Sequence, residues 1–314
     1  MLRLALFLTF HTLALGQEWV LISHPGNAAD KSGFGAVNYE FEIMKHEVTC
    51  AEYAEFLNSA AAKEDPPALW NPKMDGAPLP TGRDDIRSEQ GCLIREGEKG
   101  SFRYSVVPGR EEIPIVNVSF INALRFANWK HGGSTETGAY DITKDKNLAS
   151  RSQDARYWLP SEDEWHKAAY FDPEAKRYWL YATRSDARPN SRKPDASDTN
   201  AANFVWIDRI NNGMNKGYAF SQSDYYKPGA IYLFPVGSYP SARSAYGTLD
   251  QSGSVWEWTE GLMWETKRVL RGGSWFDEAN ALRSTTRCAV PPERTYHDTG
   301  FRLCRKPTQS EVQR

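Results

Sequence analysis

The chain is poor in the residue spacings that mark the commoner metal and nucleophile chemistries. Its four cysteines, Cys50, Cys92, Cys288 and Cys304, form no Cys-x-x-Cys pair, which excludes a zinc ribbon and a thioredoxin-like redox centre. The six histidines show neither His-x-x-x-His nor His-Glu-x-x-His, the spacings that turn two imidazoles to one helix face for zinc. There is no P-loop, and Gly272-Gly-Ser274 lacks the closing glycine of a Gly-x-Ser-x-Gly elbow. A net charge of −2 offers a polyanion little attraction, so no nucleic-acid partner is expected.

Long apolar runs are also missing, apart from Met1 to Leu15. Arg3, the apolar centre and the small-residue end Ala14-Leu-Gly16 read as a secretory signal (1–16) with cleavage before Gln17. The run is too short to span a bilayer comfortably, and the polar chain after it offers no second membrane span. The mature protein is therefore expected to be secreted or periplasmic. An even number of cysteines suits an oxidising compartment. Cys288 and Cys304 flank a loop, Pro291 to Asp298, which favours that pair and leaves Cys50 with Cys92; four unpaired buried thiols are the competing reading.

What is present is a globular composition, 40% hydrophobic and 25% charged, long enough for one large domain or two ordinary ones. Eleven tryptophans suit extensive loops packed over a small sheet. Tyr39 to Val48 alternates like a half-exposed strand and leads into Thr49-Cys-Ala-Glu52, a capping box that starts a helix. Ser119 caps a second helix that Gly132-Gly133 ends, and Pro160-Ser-Glu-Asp-Glu164 opens a third. Acidic residues in that first turn complement the helix dipole and need no catalytic explanation. Later β-prone pieces begin at Ile231, Ser254, Lys267 and Thr299. Long loops run from Asn71 to Gly100 and from Thr183 to Gly229.

The late motifs are Tyr246-Gly-Thr-Leu-Asp250, Gly253-Ser-Val-Trp-Glu-Trp258, Arg268-Val-Leu-Arg-Gly-Gly-Ser-Trp275 and Gly300-Phe-Arg-Leu-Cys304. Before them come Glu47-Val-Thr49 with Tyr53 and Phe56, Pro114 to Phe120 with Ala127-Asn-Trp129, Trp158 to Trp165, and Pro235 to Pro240. In this order they resemble the formylglycine-generating enzyme, or sulfatase-modifying-factor, family over nearly the whole chain. The resemblance implies an α+β fold, the family's variant of the C-type-lectin fold, loop-rich with a small irregular antiparallel sheet. It would occupy residues 17–306, with a short polar tail at 307–314.

That family binds calcium, and the resemblance places one site at Asp250, Gly253, Val255 and Glu257, with Ser254 where an Asn is usual. It begins a second at Asn203 and Phe204. Both side-chain ligands of the first are oxygens of the kind Ca²⁺ takes, although Asp250 also reads as a turn residue and Glu257 as a solvated strand residue. Copper-dependent members hold their metal with two cysteines just after the Gly-Gly-Ser-aromatic turn. Here those positions fall at Asp277 and at Ala281 or Leu282, and copper is not expected, because carboxylate and aliphatic groups do not replace thiolates for Cu(I). Trp256 and Ser274 match pocket-lining positions, and His297 with Asp298 and Arg302 suggests a polar cluster nearby, or simply a packing histidine.

Three readings follow: a binding or accessory module with a protein or carbohydrate ligand; an oxidoreductase forming formylglycine on sulfatases, or performing a related oxidation with another metal on Asp277, Glu278 and His297; and a calcium-dependent carbohydrate-binding protein. The chain has no Cys-x-Pro-x-Arg sulfatase pattern of its own.

Overall fold

The computed structural model describes residues 17–76, 90–206 and 217–308. The segment read as a secretory signal lies outside the described residues, as do parts of both long loops. Among the described residues no helix is long and apolar enough to cross a membrane.

Three helices form where their caps are written. Helix α1 is Cys50–Ala60, α2 is Phe120–Gly132 and α3 is Glu162–Tyr170. In α1 the Thr49 hydroxyl accepts the Glu52 N–H, and the Glu52 carboxylate accepts the Thr49 N–H at 2.9 Å. Ser161 and Glu164 make the same reciprocal pair at α3. Helix α2 ends on Gly133 at φ 87°, a left-handed turn that costs glycine no Cβ clash.

The principal strands are β1 (Trp19–Ile22), β2 (Phe41–Met44), β3 (Leu93–Glu96), β4 (Arg103–Val106), β5 (Tyr157–Trp158), β6 (Trp256–Met263), β7 (Lys267–Arg271), β8 (Cys288–Val290), β9 (Thr299–Gly300) and β10 (Cys304–Arg305). One sheet runs β1-β2-β10-β5 and carries the end of the chain back to its beginning. A second runs β8-β7-β6-β9 and is not purely antiparallel, because β6 and β9 pair in parallel. The main core lies between these sheets and α1 and α2, with Tyr53, Phe56, Phe126 and Phe301 in mutual ring contact.

Several expectations are corrected. All four residues of β2 are buried, so it is not half-exposed; the Glu42 carboxylate is neutralised by Arg305 and accepts the Thr308 N–H. No strand forms at Ile231, where the Gln90 side chain takes the partner's role, accepting the Tyr232 N–H at 2.9 Å and donating to the Ala230 carbonyl at 3.0 Å. Cys50 and Cys92 are bonded, but Cys288 and Cys304 are free thiols. The loop between those two does not bring them together, because Cys288 pairs with Leu270 in one sheet and Cys304 with Ile43 and Trp158 in the other.

The Cys50–Cys92 bond spans 42 residues. Loop-closure entropy gives it a worth of about 4 kcal/mol. Cys50→Ser with Cys92→Ser is expected to lower the denaturant midpoint accordingly, and an unchanged midpoint would contradict this.

Candidate ligand-binding site

The frame beneath the site is a buried charge cluster. Arg302 donates to both Glu257 oxygens at 2.6 and 2.8 Å, and to the carbonyls of Met44, Lys45 and Leu249 at 2.9–3.1 Å. Glu257 also accepts the Trp165 indole N–H at 2.9 Å. Glu257 is therefore not the solvated strand residue its position on β6 would allow. Glu47 stands 3.7 Å from the same guanidinium, yet among the described residues neither of its buried oxygens has a hydrogen-bond partner. Burial, with Asp250 nearby, raises the Glu47 carboxyl well above the usual range, and burial pushes Asp250 up to about 6.

The carboxyls of Glu47, Asp250 and Glu257 all lie within electrostatic reach of the one guanidinium of Arg302. Among the described residues no three His, Cys, Asp or Glu side chains converge on a metal-sized point. A calcium held by Asp250 and Glu257 would thus depend on the carbonyls of Gly253 and Val255 for further oxygens.

The second candidate segment touches the first. Gly253, at φ 88°, has no room for a Cβ, which would lie 2.4 Å from the Asn203 carbonyl oxygen. The Ser254 N–H donates to that same oxygen at 2.9 Å, and Ser254 is itself left-handed at φ 62°. Left-handed geometry favours asparagine among non-glycine residues, which accounts for the residue usual at that position. The Asn203 amide donates to the Tyr232 carbonyl, and the Phe204 carbonyl accepts from the Ser191 hydroxyl. Asn203 and Asp250 line one narrow cavity of about 10 Å³, the space one water or ion needs.

Above this frame, β7 ends in Gly272 and Gly273, both left-handed. A Cβ on Gly273 would sit 2.8 Å from Leu282 Cδ1, so the turn can close on the following segment only with glycine there. It delivers the Ser274 hydroxyl between two carboxyls, hydrogen-bonded to Asp277 and 3.2 Å from Asp298. The Trp256 indole N–H donates to the same Asp277 oxygen at 2.8 Å. Burial raises both acids, and Asp298 raises Asp277 further. A serine has one proton to donate; the second contact is satisfied when Asp298 carries a proton and donates to the serine oxygen.

The structure thus brings Trp256, Ser274 and Asp277 together and adds Asp298 to them. His297 is in ring contact with Trp275 and Phe276 at 5.4 and 5.3 Å. The expected His297–Asp298–Arg302 cluster does not form, because Arg302 is committed to Glu257. Cys288 is a neighbour that spacing did not reveal; burial, then Asp277 and Asp298, raise its thiol above the ordinary value.

At the positions that the resemblance assigns to thiolates, no cysteine stands. Asp277 is engaged by Ser274 and Trp256, while Leu282 is fully buried in a second apolar cluster with Tyr181 and Phe204. Ala281, the other candidate, is half-buried against the core.

Residues 35–307 match the model of the sulfatase-modifying factor enzyme 1-like domain. The chain belongs to this family. It is 36% identical over 217 residues to the mouse (Mus musculus) protein named inactive C-alpha-formylglycine-generating enzyme 2, covering 65% of this chain and 54% of that one. Hercynine oxygenase of Mycolicibacterium smegmatis is 27% identical over 84% of this chain and 52% of its own. The chain therefore spans about half the length of these curated relatives. Among solved structures, CarF superposes with a TM-score of 0.57 at 19% identity, over 94% of this chain and all of that one. Treponema denticola variable protein 1 gives 0.53 at 16%, over 92% and 95%. The expected α+β, loop-rich fold of the sulfatase-modifying-factor family is thereby shown.

Truncating Arg302 to alanine leaves buried carboxylates unpaired and is expected to cost about 3–5 kcal/mol, read from the urea midpoint. Asp277 offers a test of opposite sign. A carboxyl whose pKa rises on folding stabilises below the unfolded value, about 3.9, and that contribution is lost as pH rises. Asp277→Asn, neutral at every pH and still an acceptor, should raise the melting temperature at pH 7, with the gain closing towards pH 4. A loss at pH 7 would show that the ionised form is preferred.

Proposed function

We propose that this family member is an exported binding or accessory module that does not oxidise through copper. The observation that carries the reading is the set of occupants at the positions assigned to thiolates, an aspartic acid held by two hydrogen bonds and, at the second, Ala281 or Leu282, neither of which has a metal-ligating side-chain atom. Its likeness to a relative named inactive supports the same direction. The half-buried carboxyls of Asp277 and Asp298, set around the buried Ser274 hydroxyl, lie beside the exposed Phe276 ring and the half-buried His297. Such a surface suits a protein or carbohydrate partner, in a secreted or periplasmic setting if the amino-terminal segment acts as a signal. Calcium, held by Asp250 and Glu257 with the Gly253 and Val255 carbonyls, would neutralise the excess buried charge around Arg302 and stiffen the turn below the pocket.

Two measurements test this. A Cys-x-Pro-x-Arg peptide incubated with the protein, Cu(I) and oxygen should remain unoxidised by mass spectrometry beside a working enzyme; conversion to the aldehyde would sink the reading. Chelation by EGTA should lower the melting temperature of the wild-type protein and leave Asp250→Asn unmoved, whereas equal responses would remove calcium from this site.

A further inference from the structure

A second concave surface, sharing no residue with the group around Ser274, lies between the turn at 243–247 and the segments at 183–185 and 199–200. It encloses about 580 Å³. No aspartate or glutamate lines it, while two arginines do, in a chain whose net charge is slightly negative. Arg184 spends two of its nitrogens on Asp172 and Glu174, at 2.8 and 3.1 Å. Arg243 is exposed and makes no ion pair or hydrogen bond among the described residues.

The backbone beside Arg243 is arranged in the same sense. The Ser244 N–H donates to the Thr248 carbonyl and the Gly247 N–H to the Ser244 carbonyl, each at 3.0 Å. The Thr248 N–H donates to the Ser244 hydroxyl at 3.1 Å. Between them, the N–H groups of Ala245 and Tyr246 have no acceptor among the described residues. The turn is pinned by the Tyr246 hydroxyl donating to the Ser23 carbonyl at 2.8 Å, and the opposite wall by Thr183 donating to Asn200 at 2.6 Å. A forked guanidinium beside successive uncommitted N–H groups, with no carboxylate competing, is a donor set for a tetrahedral oxyanion.

We propose that this groove binds the sulfate or phosphate group of a monoester ligand, with Arg243 as the principal contact. The volume exceeds that of the oxyanion alone and leaves room for the body of the ester.

The test is calorimetric titration of the full chain with sodium sulfate and, separately, sodium phosphate, at ionic strength held constant with chloride. Saturable binding of at least one anion is expected, weakened about tenfold or more by Arg243→Ala and unchanged by Arg103→Ala, an exposed arginine that does not line the groove. Arg243→Lys, which keeps the charge and loses the fork, should fall between. Arg243 is exposed, so its removal leaves the core intact, as circular dichroism would verify. The stronger of the two anions identifies the ester class. Failure of both anions to saturate, or equal binding by Arg243→Ala, overturns the proposal.

Discussion

A guanidinium that water does not reach closes this chain on itself. Arg302 comes from the segment just before the last strand and binds carbonyls near the amino terminus, at Met44 and Lys45, a third at Leu249 and the carboxylate of Glu257. Burying that charge is expensive unless each donor is matched, and here the matching groups lie on segments far apart in sequence. The fold therefore stands or falls as a unit, because none of those segments supplies a complete counter-environment. The same cluster explains why the Asp250–Gly253 turn and the start of β6 hold their shape with so little regular structure around them.

The principle extends through the molecule: side chains do much of what strands do elsewhere. Asn128 accepts the Tyr140 N–H and donates to the Tyr140 carbonyl; Asn58 makes the same pair with Tyr104. Asp65 receives two successive N–H groups, from Leu69 and Trp70. Arg268 gathers carbonyls of Asn147, Ala149 and Glu260. Buried backbone groups must be paired, and a fold with short strands meets that demand with amides, carboxylates and guanidinia of fixed geometry. One relay runs Asp30–His166–Arg271: Arg271 donates to Nδ1 of the buried imidazole, which obliges Nε2 to donate to Asp30. The imidazole is thereby neutral, a state that burial, the largest influence on its lowered pKa, also favours.

What could be read beforehand follows from this division. Thr49, Ser119 and Ser161 announced their helices because a cap is a local interaction within four residues. The family motifs likewise marked turns whose chemistry is local, such as Gly272-Gly-Ser274. Glu42 was misread because its neutralising partner, Arg305, is remote in sequence and alternation alone cannot distinguish a solvated acid from a paired one. The absence of a strand at Ile231 depended on Gln90, again a distant side chain. Cys288 and Cys304 seemed to belong together from the loop between them, yet the two lie in different sheets. Glu47 was legible only as part of a motif; its meaning, a buried carboxyl 3.7 Å from the Arg302 guanidinium, belongs to the assembled cluster.

The turn after β7 shows how packing can fix a backbone independently of the residues that follow it. The double-glycine turn is required by the approach of residues 281–282 to Gly273, so it persists for packing reasons whatever stands at 277. At 277 a carboxyl is held by Ser274 and Trp256, and further on Leu282 extends an apolar cluster while Ala281 packs against the main core. Beside the turn stand the exposed Phe276 ring and the half-buried carboxyls of Asp277 and Asp298, so the backbone that packing demands also sets hydrogen-bonding groups next to a ring face.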